Sequence, residues 1–174
     1  WGRPDNYKNL VEEDSLQYSF KHEKKPILLF SMHMGCVDTM LFLISDKIKD
    51  LNIVYTPAKK QSLEKITKMI REAKGASMVS ADTAGIKNLY KRFLEGENLI
   101  MATDLVPHNK GTYSEWFGKE CLCIDLVEKL SKKGTHALYF VYFTAGETKK
   151  YKFNCEKINS PMSVDQMNKY FEKA

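Results

Sequence analysis

The chain has 174 residues, of which 43% are hydrophobic and 28% are charged, and its formal net charge at pH 7 is +5. This composition is typical of a soluble globular fold, and the length suits one domain with a substantial core. The longest strongly apolar stretch, residues 40–44, is far shorter than the roughly 20 residues that span a bilayer, and no signal peptide precedes it. The positive charge favours an acidic partner or an anionic surface. The basic residues are scattered and no recognition motif is present, so we expect no nucleic-acid partner.

Short apolar runs alternate with amphipathic stretches along the chain. The apolar runs predict six strands, at residues 26–31, 52–56, 77–80, 98–102, 136–143 and 151–156. Helices are expected in the gaps, and parallel strands need such crossovers, which cover both faces of a sheet. We therefore predict an α/β fold with a central, mostly parallel sheet flanked by helices.

Two of the predicted helices have a clear apolar face. The segments 61–74 and 84–95 carry hydrophobic residues at helical spacing. A glycine follows each segment, Gly75 and Gly96, and glycine commonly ends helices at this position. The two segments therefore predict helices that end at these glycines.

His33 and Asp38 lie where the first predicted strand gives way to a helix. In an unbroken helix, five residues advance about 500°, so the two side chains would point in different directions. The helix must begin between them, with His33 at or just before the N-cap and Asp38 one turn inside, and Gly35 would permit the tight turn. A histidine with an aspartate five residues later is also a common coincidence, but the carboxyl end of a strand is where α/β sheets bind ligands.

The segment 104–118 interrupts the regular rhythm of strands and helices. It begins with Asp104, is polar, and leads to an aromatic pair. Long loops at strand ends tend to carry function, although an aspartate is also common in an ordinary turn. The segment is therefore a second candidate region for the site.

The four cysteines, Cys36, Cys121, Cys123 and Cys155, show no paired metal-site spacing. Cys121 and Cys123 could supply half of a metal site, but small buried thiols are the favoured interpretation. We expect no metal and a reducing compartment.

Several blocks in order resemble a known family. They are His33-x4-Asp38 (an HX4D motif), Val54-Tyr-Thr-Pro57, Arg71, Asp104 with Gly111, and Trp116-Phe-Gly118. Over about residues 20 to 158, the chain resembles the lipid A biosynthesis acyltransferases, the lauroyl and myristoyl transferases related to the glycerolipid and lysophospholipid acyltransferases.

The resemblance implies transfer of a fatty acyl group from a thioester carrier, usually acyl carrier protein, to a hydroxyl of a lipid A precursor. In that chemistry His33 would act as the general base and Asp38 would orient its imidazole, with no acyl-enzyme and no cofactor. Backbone N–H groups near Gly35 are candidates to stabilise the oxyanion.

The resemblance also extends to substrate-binding residues. Arg71 would bind a phosphate of the glycolipid or carrier, although local sequence alone favours a solvated arginine beside Glu72. Asp104 matches the family's acidic residue after the fourth strand. Phe117 and Gly118 belong to the aromatic-aromatic-glycine element, which would line the acyl tunnel or pack beneath the loop.

The ends of the chain depart from the family pattern. Family members begin with a hydrophobic anchor and finish with a longer tail, so we expect residues 1–174 to be a single acyltransferase domain that lacks both. The resemblance implies the cytoplasmic face of the bacterial inner membrane, with the protein peripheral or anchored by a segment outside this chain.

Two other functions stay open at this point. One is a related acyltransferase that uses acyl-CoA and a glycerolipid or glycolipid acceptor. The other is a catalytically silent lipid-binding module with the same fold.

Overall fold

The computed structural model describes residues 4–13, 19–107, 110–147, 149–159 and 161–174. Its strands are β1 (Ile27–Ser31), β2 (Leu51–Tyr55), β3 (Ser77–Ser80), β4 (Asn98–Ala102), β5 (Thr112–Trp116), β6 (Lys119–Cys123), β7 (Ala137–Ala145) and β8 (Tyr151–Ile158). Its α-helices are α1 (Val37–Ser45), α2 (Gln61–Arg71), α3 (Thr83–Leu94), α4 (Leu126–Ser131) and α5 (Val164–Lys173). Short 3-10 helices span Pro4–Leu10, Ser19–His22 and Glu72–Lys74.

Six strands form one sheet in the order β3-β2-β4-β1-β7-β8. The first five strands in this order are parallel, and β8 pairs with β7 in the antiparallel direction. Antiparallel strands need only a short connection, so β7 and β8 follow each other without a crossover helix. The predicted α/β class with a mostly parallel sheet is confirmed, and so are all six predicted strands.

Both faces of the sheet are buried, which explains the nearly continuous apolar strands. In β1, Leu29 packs into the core on one face, whereas Leu28 and Phe30 pack into the core on the other. Successive side chains of a strand point to opposite faces, so a strand between two helical layers needs an apolar residue at every position. The same rule makes β1 a rigid support for whatever follows its carboxyl end.

The two helix ends predicted at glycines are also confirmed. Gly75 and Gly96 have positive φ angles, 84° and 83°. The helix predicted at 61–74 is α-helical as far as Arg71 and continues as a 3-10 turn over Glu72–Lys74.

The segment 104–118, predicted as a polar loop, contains β5 and the turn of a hairpin whose second strand, β6, follows directly. Its two turn residues, Phe117 and Gly118, both have positive φ, 48° and 72°, as two-residue hairpin turns with the twist of the flanking strands require. The hairpin packs on α5, where the Ser114 hydroxyl donates to Asp165 Oδ1 at 2.5 Å. The Trp116 ring lies 5.8 Å from the Phe171 ring. The strand β5 was not predicted, because its alternating exposed and inward-facing residues are too polar to indicate a buried strand.

Within the part of the chain that the structure describes, no helix combines the length and the hydrophobicity needed to cross a membrane.

Candidate active site

The candidate site lies at the carboxyl edge of the sheet, where β1 and β4 end side by side. Ser31 and Ala102, the last residues of these strands, are aligned in the parallel ladder. The Thr103 amide then donates to the Ser31 carbonyl at 3.0 Å, so the two chains stay together beyond the strands. This alignment carries His33 and Asp104, each two residues past its strand, to the same point.

One carboxylate holds His33 at two atoms. The His33 amide donates to Asp104 Oδ2 at 2.7 Å, and His33 Nδ1 lies 2.8 Å from Asp104 Oδ1. Two contacts with the same carboxylate fix both the backbone position and the plane of the imidazole. The Asp104 side chain is 13% exposed and that of His33 is 45% exposed, so the carboxylate lies inside while the ring reaches solvent.

The pKa values of this pair move apart. The hydrogen bond with Asp104 raises the pKa of His33 above its ordinary value of 6.5, against the opposing effects of partial burial and of the Arg71 charge. Burial alone would raise the pKa of Asp104, but the hydrogen bonds from the His33 ring and amide outweigh it, and the net pKa is lowered. Asp104 is therefore ionised near neutral pH and can only accept hydrogen bonds. In the neutral ring Nδ1 then carries the hydrogen, and the lone pair is on Nε2.

The sequence predicted Asp38 as the partner of His33, and the structure corrects this prediction. Asp38 Oδ1 instead accepts a hydrogen bond from Arg71 Nε at 2.8 Å. The N-cap of α1 is Cys36, so Asp38 is the second helical residue, and His33 lies three residues before the cap instead of at it. Asp104, just past the end of the neighbouring strand β4, contacts His33 Nδ1 instead.

The Asp38–Arg71 ion pair is a second element of the site. It joins the first turn of α1 to the last residue of α2, with side chains 35% and 24% exposed. Among the described residues, the guanidinium contacts Asp38 only through Nε, so its terminal nitrogens remain available to an anion. Arg71 and His33 line the same cavity.

Gly35 forms the turn between His33 and α1, as predicted. Its φ is +68°, a conformation that side-chain-bearing residues rarely adopt. A Cβ at this position would also lie 2.9 Å from Phe143 Cβ. The turn therefore needs glycine for both conformation and space. The Met34 amide donates to the Met32 carbonyl at 2.8 Å, so that amide is already engaged within the turn.

A cavity of about 290 Å³ lies against His33 and Arg71. Its volume is near the lower end of the range for small-molecule sites. Most of its wall is apolar and comes from β2, β4, α1 and the segment after β4. The apolar lining includes Val37, Met40, Leu41, Ile53, Ile100, Met101, Leu105 and Ile124. The imidazole therefore borders a space that suits a hydrocarbon chain.

Tyr55 lines the same cavity, and sequence reasoning gave it no role. Its hydroxyl donates to Glu64, whose other oxygen accepts from the Ala58 amide at 2.8 Å. Burial, followed by the hydrogen bond to Glu64, raises the pKa of Tyr55 to about 12. Tyr55 is therefore a neutral phenol that ties α2 to the end of β2. The sequence did contain a signal for Tyr55, because this residue belongs to the Val54-Tyr-Thr-Pro57 block that resembles the family.

Phe117 and Gly118 are not among the described residues that line this cavity. The Phe117 side chain is 69% exposed at the hairpin tip, and its amide donates to Glu172 Oε1 at 2.7 Å. The structure places the Trp116-Phe117-Gly118 element against α5. Contact of Phe117 and Gly118 with substrate stays a prediction.

Among the described residues, the four cysteines belong to no metal-binding cluster. Across the described ranges, no group of three or more His, Cys, Asp or Glu side chains could hold a metal ion. All four cysteines are free thiols, with Cys121 Sγ and Cys123 Sγ 3.4 Å apart.

The chain matches one family model over nearly its whole length. The family is described as bacterial lipid A biosynthesis acyltransferase, and the match covers residues 5–173. No curated protein matches the chain. This match confirms the family resemblance predicted from the sequence.

Proposed function

Because the chain belongs to the bacterial lipid A biosynthesis acyltransferase family, we propose that it transfers a fatty acyl group from a thioester donor to a hydroxyl of a lipid A precursor. Acyltransferase activity follows from the family; the donor, the acceptor and the mechanism are our proposal. The donor is acyl carrier protein, or acyl-CoA in the alternative version. The reaction needs a group that makes an alcohol nucleophilic and a space for the acyl chain.

His33 is the proposed general base. Its Nε2 takes the proton of the acceptor hydroxyl as the oxygen attacks the thioester carbonyl carbon. Asp104 fixes the Nδ1–H tautomer and stabilises the imidazolium that forms, as the carboxylate does in a Ser-His-Asp site. In this proposal Asp104 has the positioning role that sequence reasoning assigned to Asp38.

The remaining steps conserve atoms and charge. The tetrahedral intermediate collapses with cleavage of the carbon–sulfur bond, and the thiolate leaves as a thiol after taking the proton from the His33 imidazolium. The products are the ester and the free thiol carrier, and His33 returns to its neutral form. No acyl-enzyme is needed.

The beginning of α1 and Arg71 would bind the charged parts of the substrates. The first-turn amides of α1 lack intrahelical acceptors and lie just past Gly35, where they can stabilise the oxyanion. The terminal nitrogens of Arg71 can bind a phosphate while Asp38 holds Nε. The apolar cavity between these groups would take the acyl chain.

The single observation that supports this function is the His33–Asp104 hydrogen bond at the rim of an apolar cavity. The test incubates the protein with a mixture of acyl carrier protein thioesters, or with acyl-CoA, and with a lipid A precursor or a lysophospholipid. Mass spectrometry of the acceptor identifies which pair gives product. His22→Ala is the matched control for His33→Ala, because His22 is an exposed histidine outside the site.

We expect acylated lipid A precursor from the wild type and from His22→Ala, and none above background from His33→Ala. Product formed only with acyl-CoA and lysophospholipid would favour the alternative acyltransferase. Lipid binding without product from any pair would favour the silent module and contradict the proposal.

We also propose that the reaction takes place at the cytoplasmic face of the bacterial inner membrane, because a lipid A precursor is held in a bilayer. Cell fractionation tests this proposal. The protein should be recovered with inner membranes. It should also be protected from protease that is added to intact spheroplasts. Recovery from the periplasm would contradict it.

A further inference from the structure

Helix α2 exposes its apolar side chains although it lies beside the site. Leu63, Ile66 and Met69 are 53%, 50% and 67% exposed, and no residue of the helix is buried. Residues three apart lie on neighbouring positions of one helix surface. The three side chains therefore form a stripe that no described part of the protein covers.

The net positive charge of the protein is concentrated at the same helix. Residues 59–71 contain five lysines and arginines and one acidic residue, a net charge of +4, whereas the whole chain has +5. Lys59, Lys60 and Lys65 are exposed. The rest of the protein is thus nearly neutral, and this segment dominates its electrostatic field.

The acidic residue within this segment, Glu64, forms no ion pair with Lys59, Lys60 or Lys65 among the described residues. The Glu64 carboxylate accepts from the Tyr55 hydroxyl and the Ala58 amide, which turn it toward the protein. Lys68 pairs weakly with Glu72, at 3.9 Å between Nζ and Oε1. Lys59, Lys60 and Lys65 make no ion pair with any described residue.

We propose that an anionic bilayer surface binds here, to the α2 face, which we define as Lys59, Lys60, Leu63, Lys65, Ile66 and Met69. A helix with exposed apolar side chains and neighbouring lysines matches a partner that is apolar below and negatively charged above, which is the boundary between acyl chains and anionic headgroups. An acidic protein would match the lysines but would not require a stripe of three exposed apolar side chains.

Docking through this face would bring the cavity to the membrane. Arg71, the last residue of α2, lines the cavity, and Leu105, half-exposed, lines it too. A lipid could then reach the cavity from the bilayer. The docking itself does not depend on the proposed reaction, because vesicle binding can be measured without turnover.

The test is co-flotation of the purified protein with vesicles of phosphatidylcholine, with or without phosphatidylglycerol. Each lysine near an anionic surface strengthens binding about five-fold, so Lys60→Gln/Lys65→Gln should weaken binding to anionic vesicles roughly 25-fold. The matched control is Lys87→Gln/Lys91→Gln, which removes the same charge from exposed positions of α3 and should change binding less than two-fold by this argument.

A second pair of variants tests the apolar part. Met69→Ser should weaken vesicle binding roughly ten-fold, because its inserted side chain would be lost. Leu94→Ser on α3 is the control, since Leu94 is 63% exposed and Met69 is 67% exposed. Both changes are at the surface, and circular dichroism checks that both variants fold.

Failure of the wild type to bind anionic vesicles would overturn the proposal. Equal losses for the α2 and α3 variants would overturn it too, because binding would then depend only on overall composition. So would α2 variants that bind vesicles normally but lose binding to an acidic carrier protein, because the face would then dock a protein. If the wild type binds anionic vesicles but gives no acylated product, only the proposed function is contradicted.

Discussion

Two histidines lie at strand ends on opposite edges of the same sheet, and their environments differ. His33 follows the carboxyl end of β1 and borders the cavity. His136 precedes β7 at the amino edge, with Nε2 2.9 Å from the Glu97 carbonyl and Nδ1 2.9 Å from the Thr135 hydroxyl. Its ring stacks on Phe93 with the centroids 4.1 Å apart. His136 has both nitrogens engaged, whereas among the described contacts His33 has one nitrogen free.

The difference shows why residue type alone does not identify a catalytic base. Burial lowers the pKa of His136, while the carboxylate of Asp104 raises the pKa of His33. A carbonyl oxygen can only accept, so the Nε2 of His136 carries its hydrogen and the ring serves as a structural crosslink. A histidine that acts as a base needs a fixed ring orientation, a ring nitrogen without a hydrogen-bond partner, and access to substrate. Of these two histidines, His33 meets all three requirements and His136 does not.

The largest expected effect separates the two histidines by activity. His33→Ala should lower kcat/KM about 1,000-fold, which is within the range for removal of a general base, while leaving the fold intact. His136→Ala should retain activity within a few-fold, assayed at a temperature where it is folded. The acyl transfer assay and circular dichroism together measure both. Similar activities for the two variants would contradict the assignment of His33 as the general base.

The second effect tests which carboxylate serves His33. Asp104→Asn should lower kcat about 100-fold, because the amide no longer enforces the Nδ1–H tautomer. Asp38→Asn should lower kcat less than ten-fold, since Asp38 contacts Arg71 and not the imidazole. Steady-state kinetics of both variants decide between them, and a larger loss in Asp38→Asn would restore the prediction made from sequence.

A smaller effect is expected for the ion pair partner. Arg71→Ala should raise KM about ten-fold and change kcat less, because the guanidinium would bind a phosphate at a distance from the reacting carbonyl. Lys74→Ala, a cation three residues further along that pairs with Asp46, is the control. A loss confined to kcat would show that Arg71 acts in the chemical step.

The smallest effects concern stability, and their pH dependence has opposite signs. The pKa of His33 is raised on folding, so its contribution is complete below about pH 6.5 and is lost as the pH rises through the raised value. The pKa of His136 is lowered, so its contribution is complete above about pH 6.5 and is lost as the pH falls. Urea unfolding from about pH 5 to about pH 8 should therefore show that His136→Ala costs about 1 kcal/mol at high pH and less at low pH.

The His33→Ala variant completes that test. Its free energy of unfolding should approach the wild-type value at high pH, which is the reverse of the trend in His136→Ala. Parallel trends in the two variants would contradict the assigned environments.

Much of the sheet could be predicted from local sequence, because strands buried on both faces must be apolar along their length. β3 and β4 begin and end where the sequence predicts. The β5–β6 hairpin was missed because one of its faces is solvent-exposed, and because its turn uses Phe117 at a positive φ instead of a typical turn residue.

The site was predicted only in part, for a physical reason. The position of His33 at a strand end follows from local pattern, but its partner depends on which strand lies beside β1. Asp104 is 71 residues away from His33, and strand order decides that the two meet. Sequence reasoning therefore identified both residues but paired His33 with its nearer neighbour, Asp38.

The most direct test of the central claim is ¹⁵N NMR of the His33 ring through a pH titration, in the wild type and in Asp104→Asn. We expect hydrogen on Nδ1 in the neutral ring, and a pKa above 6.5 that falls when Asp104 is replaced. Hydrogen on Nε2, or a pKa unchanged by the substitution, would contradict the assignment of His33 as a base held by Asp104.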